Sequence, residues 1–234
     1  MLLRTRAIVL NTVRYQEKSL IVRCLTREAG IKSYFIHSAF GKGRKISYFQ
    51  PLTILDVLAS HRNKGTLENL REISLGLTYQ SIPADIYKST IAIFLAEVLH
   101  HAVREEQPNP PFFDFLETAL HWLDTHDETA NFHLIAMVQI TRFLGFYPDV
   151  SNKAESFFDL RDGRFTSHCG TEALSEPETQ LFSRLLDLKF GSDQKLFSGT
   201  QRQILLRILL DYYAMHLEGF NRPKSVDVLR EVFA

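Results

Sequence analysis

The chain has 234 residues, of which 45% are hydrophobic and 23% are charged, values typical of a globular protein. Its two cysteines are too few for a disulfide framework, and its longest wholly apolar run, 91–96, is far shorter than the ~20 residues that a membrane helix needs. The first residues also lack the apolar run and cleavage site of a secretory signal. We therefore expect a cytoplasmic protein.

The charge of the chain is segregated, although its 27 Lys and Arg balance its 27 Asp and Glu. Residues 1–80 contain thirteen basic and five acidic side chains, a net charge of +8, whereas 81–234 contain fourteen and twenty-two, a net charge of −8. This segregation indicates a basic module that meets a polyanion. A small module can also be basic by chance, because basic surface is a non-specific signal.

The first eighty residues predict β-strands, since runs rich in Val, Ile, Leu, Tyr and Phe alternate with short polar turns. The predicted strands are 5–15, 19–27, 31–39, 52–60 and 66–79. Five strands in this length match a small barrel, for which the five-stranded OB-fold is the first prediction and an SH3-like barrel the second. We expect an OB-fold nucleic-acid-binding domain at 1–80.

The remainder, 81–234, predicts a helical domain, because apolar residues recur at helical spacing. The predicted helices are 85–104, 111–125, 130–145, 174–188, 200–220 and 225–232. Ser175 with Glu178 forms a capping-box pattern, and Thr200 is the cap expected for the next helix. An Asp-Gly pair within 156–165 predicts a β-hairpin, so the fold class is α+β: the barrel, then an all-helical domain with a small hairpin insertion at about 150–170.

Motifs for catalysis and for cofactors are absent. The glycine- and lysine-containing stretch 37–51 has neither the spacing of a nucleotide-binding phosphate loop nor a following helix. Glu97 and His100 form a single E-x-x-H, whereas a helical di-iron site needs two. Cys169 and the histidine before it lack the second ligand pair of a zinc site. We expect that the protein is not an enzyme and that it binds neither a metal nor a cofactor. The alternative is a hydrolase that uses Glu97, His100 and His101, and it would require bound metal.

The basic residues of the first eighty positions cluster in loops and at strand ends, with aromatic residues between them. Cations near phosphates release counterions, and a stacked base contributes ~1–3 kcal/mol. Tyr15 is one stacking candidate, and any of the aromatics can instead be core, because barrel strands alternate between inside and outside. The predicted nucleic-acid-binding residues are Arg14, Lys18, Arg23, Arg27, Lys32, Tyr34, Phe40, Lys42, Arg44, Lys45, Tyr48, Arg62 and Lys64.

Three stretches in the same order resemble the RecO family of bacterial DNA repair and recombination proteins. They are AIVLNTVRYQEKSLIVRCLTREAGIKSYFIHSAFGKGR at 7–44, FLGFYPD at 143–149 and LLDYYAMHLEGFNRPKSVDVL at 209–229. The resemblance implies an OB-fold followed by a helical domain. It also implies a cytoplasmic, nucleoid-associated protein that binds single- and double-stranded DNA, anneals complementary strands and, with RecR, helps load RecA onto DNA coated by single-strand-binding protein.

One departure from the family concerns a four-cysteine zinc module that many members carry after the second stretch. Here only Cys169 is present, so we expect the hairpin to keep the shape of that module without metal. Its stability must then come from packing of Phe157, Phe158, Leu160 and Phe165.

The same resemblance implies that the acidic helical domain binds the acidic C-terminal tail of single-strand-binding protein. Arg142, Arg202 and Arg207 are candidates by charge alone, and each can equally be an ordinary surface arginine. The alternative function is a non-enzymatic protein-interaction adaptor whose basic barrel contacts an acidic protein partner.

Overall fold

A computed structural model describes residues 2–37, 46–61, 67–104, 107–192 and 194–233. The chain divides into two compact units, Met1–Thr125 and His126–Ala234. The two helices that follow residue 80 lie in the same unit as the strands, and the domain division after residue 80 stays a prediction. Among the described residues, no helix has the length and apolar character needed to cross a membrane.

The first unit contains a closed five-stranded barrel. Its strands are β1 (Leu2–Tyr15), β2 (Ser19–Thr26), β3 (Gly30–Ile36), β4 (Ile54–Ser60) and β5 (Glu68–Leu75). They close in the order β1-β2-β3-β5-β4, with β3 and β5 parallel and every other pair antiparallel. This five-stranded closed barrel confirms the OB-fold prediction.

The barrel interior is filled by alternate residues of each strand, as a period of two requires. Its buried members are Ala7, Val9, Leu20, Val22, Cys24, Tyr34, Phe49, Leu55, Val57 and Ala59. Burial raises the pKa of the Cys24 thiol, so this cysteine is a small core side chain and not a reactive one. The Tyr34 hydroxyl is satisfied inside the barrel by His61 Nε2 at 3.0 Å.

Strand β1 changes partners along its length. It pairs with β4 up to Ile8, and a register shift between Val9 and Asn11 marks a bulge. Beyond Ile8, the same edge of β1 forms hydrogen bonds with the segment that precedes β4. The Val9 N–H donates to the Thr53 carbonyl at 3.0 Å, and the Leu52 N–H donates to the Val9 carbonyl at 2.8 Å. A bulge bends a strand, and this one lies within the ladder with β2, just beyond the last residue that pairs with β4.

Two helices complete the first unit, α1 (Ile86–Ala102) and α2 (Pro110–Thr125). Helix α1 begins where Asp85 accepts hydrogen bonds from the N–H groups of Tyr87 and Lys88. It packs against β1. A 3₁₀ turn at Ile46–Phe49 precedes β4 and places the Phe49 ring in the barrel core.

The second unit contains α3 (Phe132–Leu144), β6 (Phe157–Asp159), β7 (Arg164–Thr166), α4 (Glu176–Leu186), α5 (Gly199–His216) and α6 (Val226–Val232). Gly145 ends α3 in the left-handed conformation at φ +83°. The capping box of Ser175 and Glu178 is present. The cap predicted for α5 is wrong: it is Ser198 and not Thr200, because the Ser198 hydroxyl accepts from Gln201 N–H at 3.2 Å and the Gln201 side chain accepts in return.

The predicted hairpin, β6 and β7, is held by an aromatic cluster. Phe158 is fully buried, and its ring centre lies 5.0 Å from that of Phe165 and 4.9 Å from that of Phe182. Leu160 is also buried, whereas Phe157 is half-buried. Within the described ranges, no group of three or more His, Cys, Asp or Glu is placed to hold a metal ion. The contacts of Phe158 with Phe165 and Phe182 pack the hairpin against α4.

Replacement of Gly163 in the turn of the hairpin is expected to destabilise the fold. It has φ +66°, and a Cβ there would lie 2.6 Å from the hydroxyl of Tyr212, which is fixed by its bond to the Phe146 carbonyl at 2.8 Å. We expect Gly163→Ala to lower the free energy of unfolding by about 2–4 kcal/mol through strain and overpacking. Gly145→Ala is the matched control, because it shares a positive φ but has nothing within 4 Å. Equal losses in urea unfolding of the two variants would contradict the clash.

Candidate nucleic-acid interface

One end of the barrel presents basic side chains to solvent. Arg14 and Lys18 are exposed beside the turn between β1 and β2, and Arg14 Nη2 donates to the Glu17 carbonyl at 3.2 Å. Arg14 of β1 pairs with Leu20 of β2, and Leu20 pairs with Ile36, the last residue of β3. The chain therefore leaves β3 at the end of the barrel where Arg14 and Lys18 lie. The predicted residues that follow, Phe40, Lys42, Arg44 and Lys45, lie outside the described residues, as do Arg62 and Lys64.

Arg23 occupies the middle of β2, half-buried against the end of α1. Its Nη2 donates to the Val103 carbonyl at 3.0 Å, while its Nε is buried and has no hydrogen-bond partner among the described residues. Burial, together with the nearby Arg104, lowers the pKa of Arg23. The guanidinium therefore presents only part of its surface to a phosphate.

Arg27 lies at the opposite end of β2 from Arg14. It makes a two-pronged ion pair with Asp114 of α2 at 2.7 and 2.9 Å, and it also pairs with Glu28 at 3.1 Å. The hydrogen bonds that Arg27 donates to Asp114 and Glu28 raise the pKa of Arg27. Two carboxylates already neutralise this charge, so Arg27 has less to offer a phosphate than Arg14 or Lys18.

Tyr34 corrects the sequence expectation that it stacks on a base, because its ring is completely buried in the barrel. Lys32 lies two residues before Tyr34, on the same side of β3, and is half-buried. The pKa of His61 is lowered, first by the burial of His61 and also by the positive charge of Lys32. Tyr48 is half-buried and packs against the barrel core. Of these two tyrosines, only Tyr48 keeps part of its surface in solvent.

An aromatic patch, which we define as Val13, Tyr15, Ile21, Phe35 and His37, lies on the outer face of β1, β2 and β3. Val13, Ile21 and Phe35 form one row across the three strands. The Tyr15 and Phe35 rings are 5.7 Å apart at 76°, and the Phe35 and His37 rings are 4.5 Å apart at 78°. Val13 and Tyr15 remain 50% and 46% exposed. These rings offer stacking surface beside Arg14 and Lys18.

Phe35 and His37 were not predicted as functional residues. The signal was available, because consecutive residues of a strand point to opposite faces. With Tyr34 inside the barrel, Phe35 must lie outside.

Two of the three candidate arginines of the second unit, Arg142 and Arg202, contact a ring or a backbone carbonyl of that unit. The Arg142 guanidinium lies 3.7 Å from the centre of the Tyr147 ring, and the side chain remains exposed. Arg202 Nη1 donates to the Phe197 carbonyl at 2.7 Å, and burial lowers the pKa of Arg202. Arg142 is therefore the more accessible cation of the two.

Arg207 belongs to a chain of ion pairs on α5. It pairs with Glu178 and, at 3.5 Å, with Asp211, which also pairs with Arg222. This network gives Arg207 a structural role between α4 and α5.

Comparison with known proteins agrees with this architecture. Residues 1–78 match the family model for the recombination protein O N terminal, and residues 83–225 match that for the recombination protein O C terminal. The chain is 53% identical to the DNA repair protein RecO of Flavobacterium johnsoniae, 52% to that of Flavobacterium psychrophilum and 35% to that of Bacteroides fragilis, with 100% of both chains covered each time. The chain belongs to the RecO family.

Proposed function

We propose that this protein is a DNA-binding recombination mediator in DNA repair, which binds single- and double-stranded DNA and anneals complementary strands. The observation that carries the proposal is the barrel end where Arg14 and Lys18 lie beside the aromatic patch. Relatives over the full chain length that are named DNA repair proteins support the same role.

Annealing on such a surface is binding work and needs no covalent step. Two complementary strands repel each other through their phosphates, and cations that neutralise these phosphates lower the repulsion. Contacts to phosphates also leave the base edges free to pair. A surface that holds strands mainly by their backbones therefore favours annealing.

The proposal includes partners. With RecR, the protein helps load RecA onto DNA coated by single-strand-binding protein, in the cytoplasm at the nucleoid. The second unit receives the acidic tail of single-strand-binding protein, and Arg142 and Arg202 are the candidates for its carboxylates. Accessibility favours Arg142, whereas the ion pairs of Arg207 argue against that residue.

The test is a salt titration of oligonucleotide binding. We expect simultaneous replacement of Lys42, Arg44 and Lys45 by alanine to weaken binding of single strands and to reduce the slope of log affinity against log salt by about 2, because each phosphate contact contributes about 0.7. Fluorescence anisotropy measures both quantities, and strand annealing is followed on the same preparations.

The control replaces Arg161, Lys189 and Lys195, three exposed cations of the second unit, and should leave the slope unchanged. Binding, annealing and salt slope that all survive the loop substitutions would contradict the proposal. Affinity for an acidic protein without affinity for bare DNA would favour the adaptor alternative.

A further inference from the structure

A cavity of about 390 Å³ opens within the first unit, between the barrel and α1. Four pieces of chain surround it: β1 around its bulge, the start of β2 at Leu20, the segment 46–51 and one side of α1. Leu10, Leu20 and Phe49 line it and are buried, so its lining is largely apolar. A concave apolar site with a few polar groups is the usual form of a ligand pocket.

The mouth of the cavity is marked by two exposed isoleucines. Ile46 is 43% exposed and Ile93 is 48% exposed, and both line the cavity. Aliphatic side chains held in water beside an apolar concavity are typical of a surface that is covered on binding. The opening faces solvent within the part of the first unit that the structure describes.

Polar groups in the cavity wall match the edge of a nucleobase. Asn11 and Gln50 carry amides, which donate and accept, and Glu97 carries a carboxylate, which accepts. Amide and carboxylate side chains are the groups that proteins use to read the amino groups and ring nitrogens of bases. A carboxylate in the wall also disfavours entry of a phosphate, so the wall selects the base end of a nucleotide.

The half-buried guanidinium of Arg23 adjoins this wall, because the ladder places Asn11 directly opposite Arg23. Asn11 Nδ2 also lies 3.4 Å from Nε2 of His100, whose pKa is lowered by burial. Arg104 lies near enough to Arg23 to act on its charge. One side of the cavity is therefore apolar with base-like hydrogen-bonding groups, and the adjacent side carries positive charge for a phosphate.

We propose that this cavity holds one unpaired base of single-stranded DNA, with the neighbouring phosphate at Arg23. The inference rests on the DNA binding proposed above and adds a preference to it. Bases in a duplex are stacked and paired and do not enter, so the cavity contributes to binding of single strands only. The aromatic patch and the basic barrel end remain available to both kinds of DNA.

Two substitutions in the full-length protein close the cavity in different ways. Ala96→Phe fills it from a small, buried wall position, and Ile93→Glu places a negative charge at its exposed mouth. Each is expected to weaken binding of a 20-nucleotide single strand about tenfold, as loss of one stacked base implies. Affinity for a blunt duplex should change by less than about twofold, which also shows that the variants are folded.

Ile86→Glu is the matched control, because Ile86 is an exposed isoleucine of the same helix that does not line the cavity. It should leave the ratio of single-strand to duplex affinity at the wild-type value. An adenine analogue whose fluorescence reports unstacking, placed within the single strand, should respond more strongly to the wild-type protein and to Ile86→Glu than to Ala96→Phe.

Unchanged single-strand affinity in both cavity variants would overturn the base pocket while leaving the proposed DNA binding intact; an apolar side chain of a protein partner would then be the better occupant. An equal loss of single-strand and duplex affinity would overturn it too, since the cavity would not discriminate unpaired bases. A wild-type protein that binds neither DNA would instead refute the proposed function itself.

Discussion

Replacement of Asp124 by alanine is expected to lower the free energy of unfolding of the first unit by about 3–5 kcal/mol. The Asp124 carboxylate is buried near the end of α2 and accepts hydrogen bonds from the backbone N–H groups of Gln80, Ser81 and Ile82 at 2.8–3.1 Å. Burial opposes ionisation of this carboxyl, yet these hydrogen bonds prevail and lower its pKa. Alanine would leave three backbone donors without their acceptor.

The same centre includes Lys88, whose side chain is also buried. Its Nζ donates to the Ser81 hydroxyl at 2.8 Å and to the Asp124 carbonyl at 3.3 Å, and the Ser81 hydroxyl donates to that carbonyl as well. Loss of the Asp124 carboxylate thus removes negative charge close to a buried cation, which adds to the cost. The centre joins the chain after β5 to α1 and α2.

The measurement uses Trp122, the single tryptophan of the chain, which lies two residues before Asp124 in the first unit. Its fluorescence during urea unfolding reports on this unit. Asp114→Ala is the matched control on the same helix, because Asp114 makes an exposed ion pair with Arg27, and such pairs contribute little. A loss for Asp124→Ala no larger than that of the control would refute the role of the buried carboxylate.

The sequence predicted the elements of this fold well because they follow local patterns. The alternation of apolar and polar residues in the first eighty positions, like the helical spacing of apolar residues beyond them, depends on residues only a few positions apart. The pairing of Ser175 with Glu178 is equally local. The sequence offers two such patterns at the start of α5, because Ser198 precedes Gln201 and Thr200 precedes Gln203 at the same spacing, so the local pattern alone does not choose between the two caps.

The candidate interface was less predictable because it depends on contacts between distant residues. Strand alternation places Tyr34 and Phe35 on opposite faces but does not tell which of them lies inside, and the partner of the buried Tyr34 hydroxyl, His61, is 27 positions away. Arg27 is neutralised by Asp114, which is 87 positions away. The cavity beside Ile93 is built from four separate segments of the chain. Composition indicated a basic barrel correctly, but not which of its cations face solvent.

Acidification is expected to destabilise the second unit through His133, which is fully buried in α3. Burial, aided by the positive charge of Arg202, lowers the pKa of His133 to about 3 from an ordinary 6.5. The unfolded chain therefore binds a proton between these values that the folded protein does not. Stability is fully present above pH 6.5 and falls as the pH falls toward 3.

The expected loss is about 2 kcal/mol between pH 7 and pH 5, and about 4–5 kcal/mol by pH 3. The interval from pH 7 to pH 5 isolates the histidine effect. Carboxylates with lowered pKa, such as Glu178 beside Ser175 and Arg207, stabilise the folded state above the ordinary value of 4.5 and lose this contribution only below it. Their effect therefore appears at lower pH than that of His133.

His133→Leu should remove most of this pH dependence, because leucine fills the buried position without a group that can be protonated. Urea unfolding followed by circular dichroism at pH 7 and pH 5 reports the helices of both units, whereas Trp122 fluorescence reports the first unit alone. The part of the circular dichroism transition that the fluorescence does not follow therefore belongs to the second unit. His168→Leu is the control, since its exposed ring stays in water in the folded state and should leave the slope unchanged. If His133→Leu kept the wild-type slope, the burial of an uncharged imidazole would not be the cause of acid sensitivity.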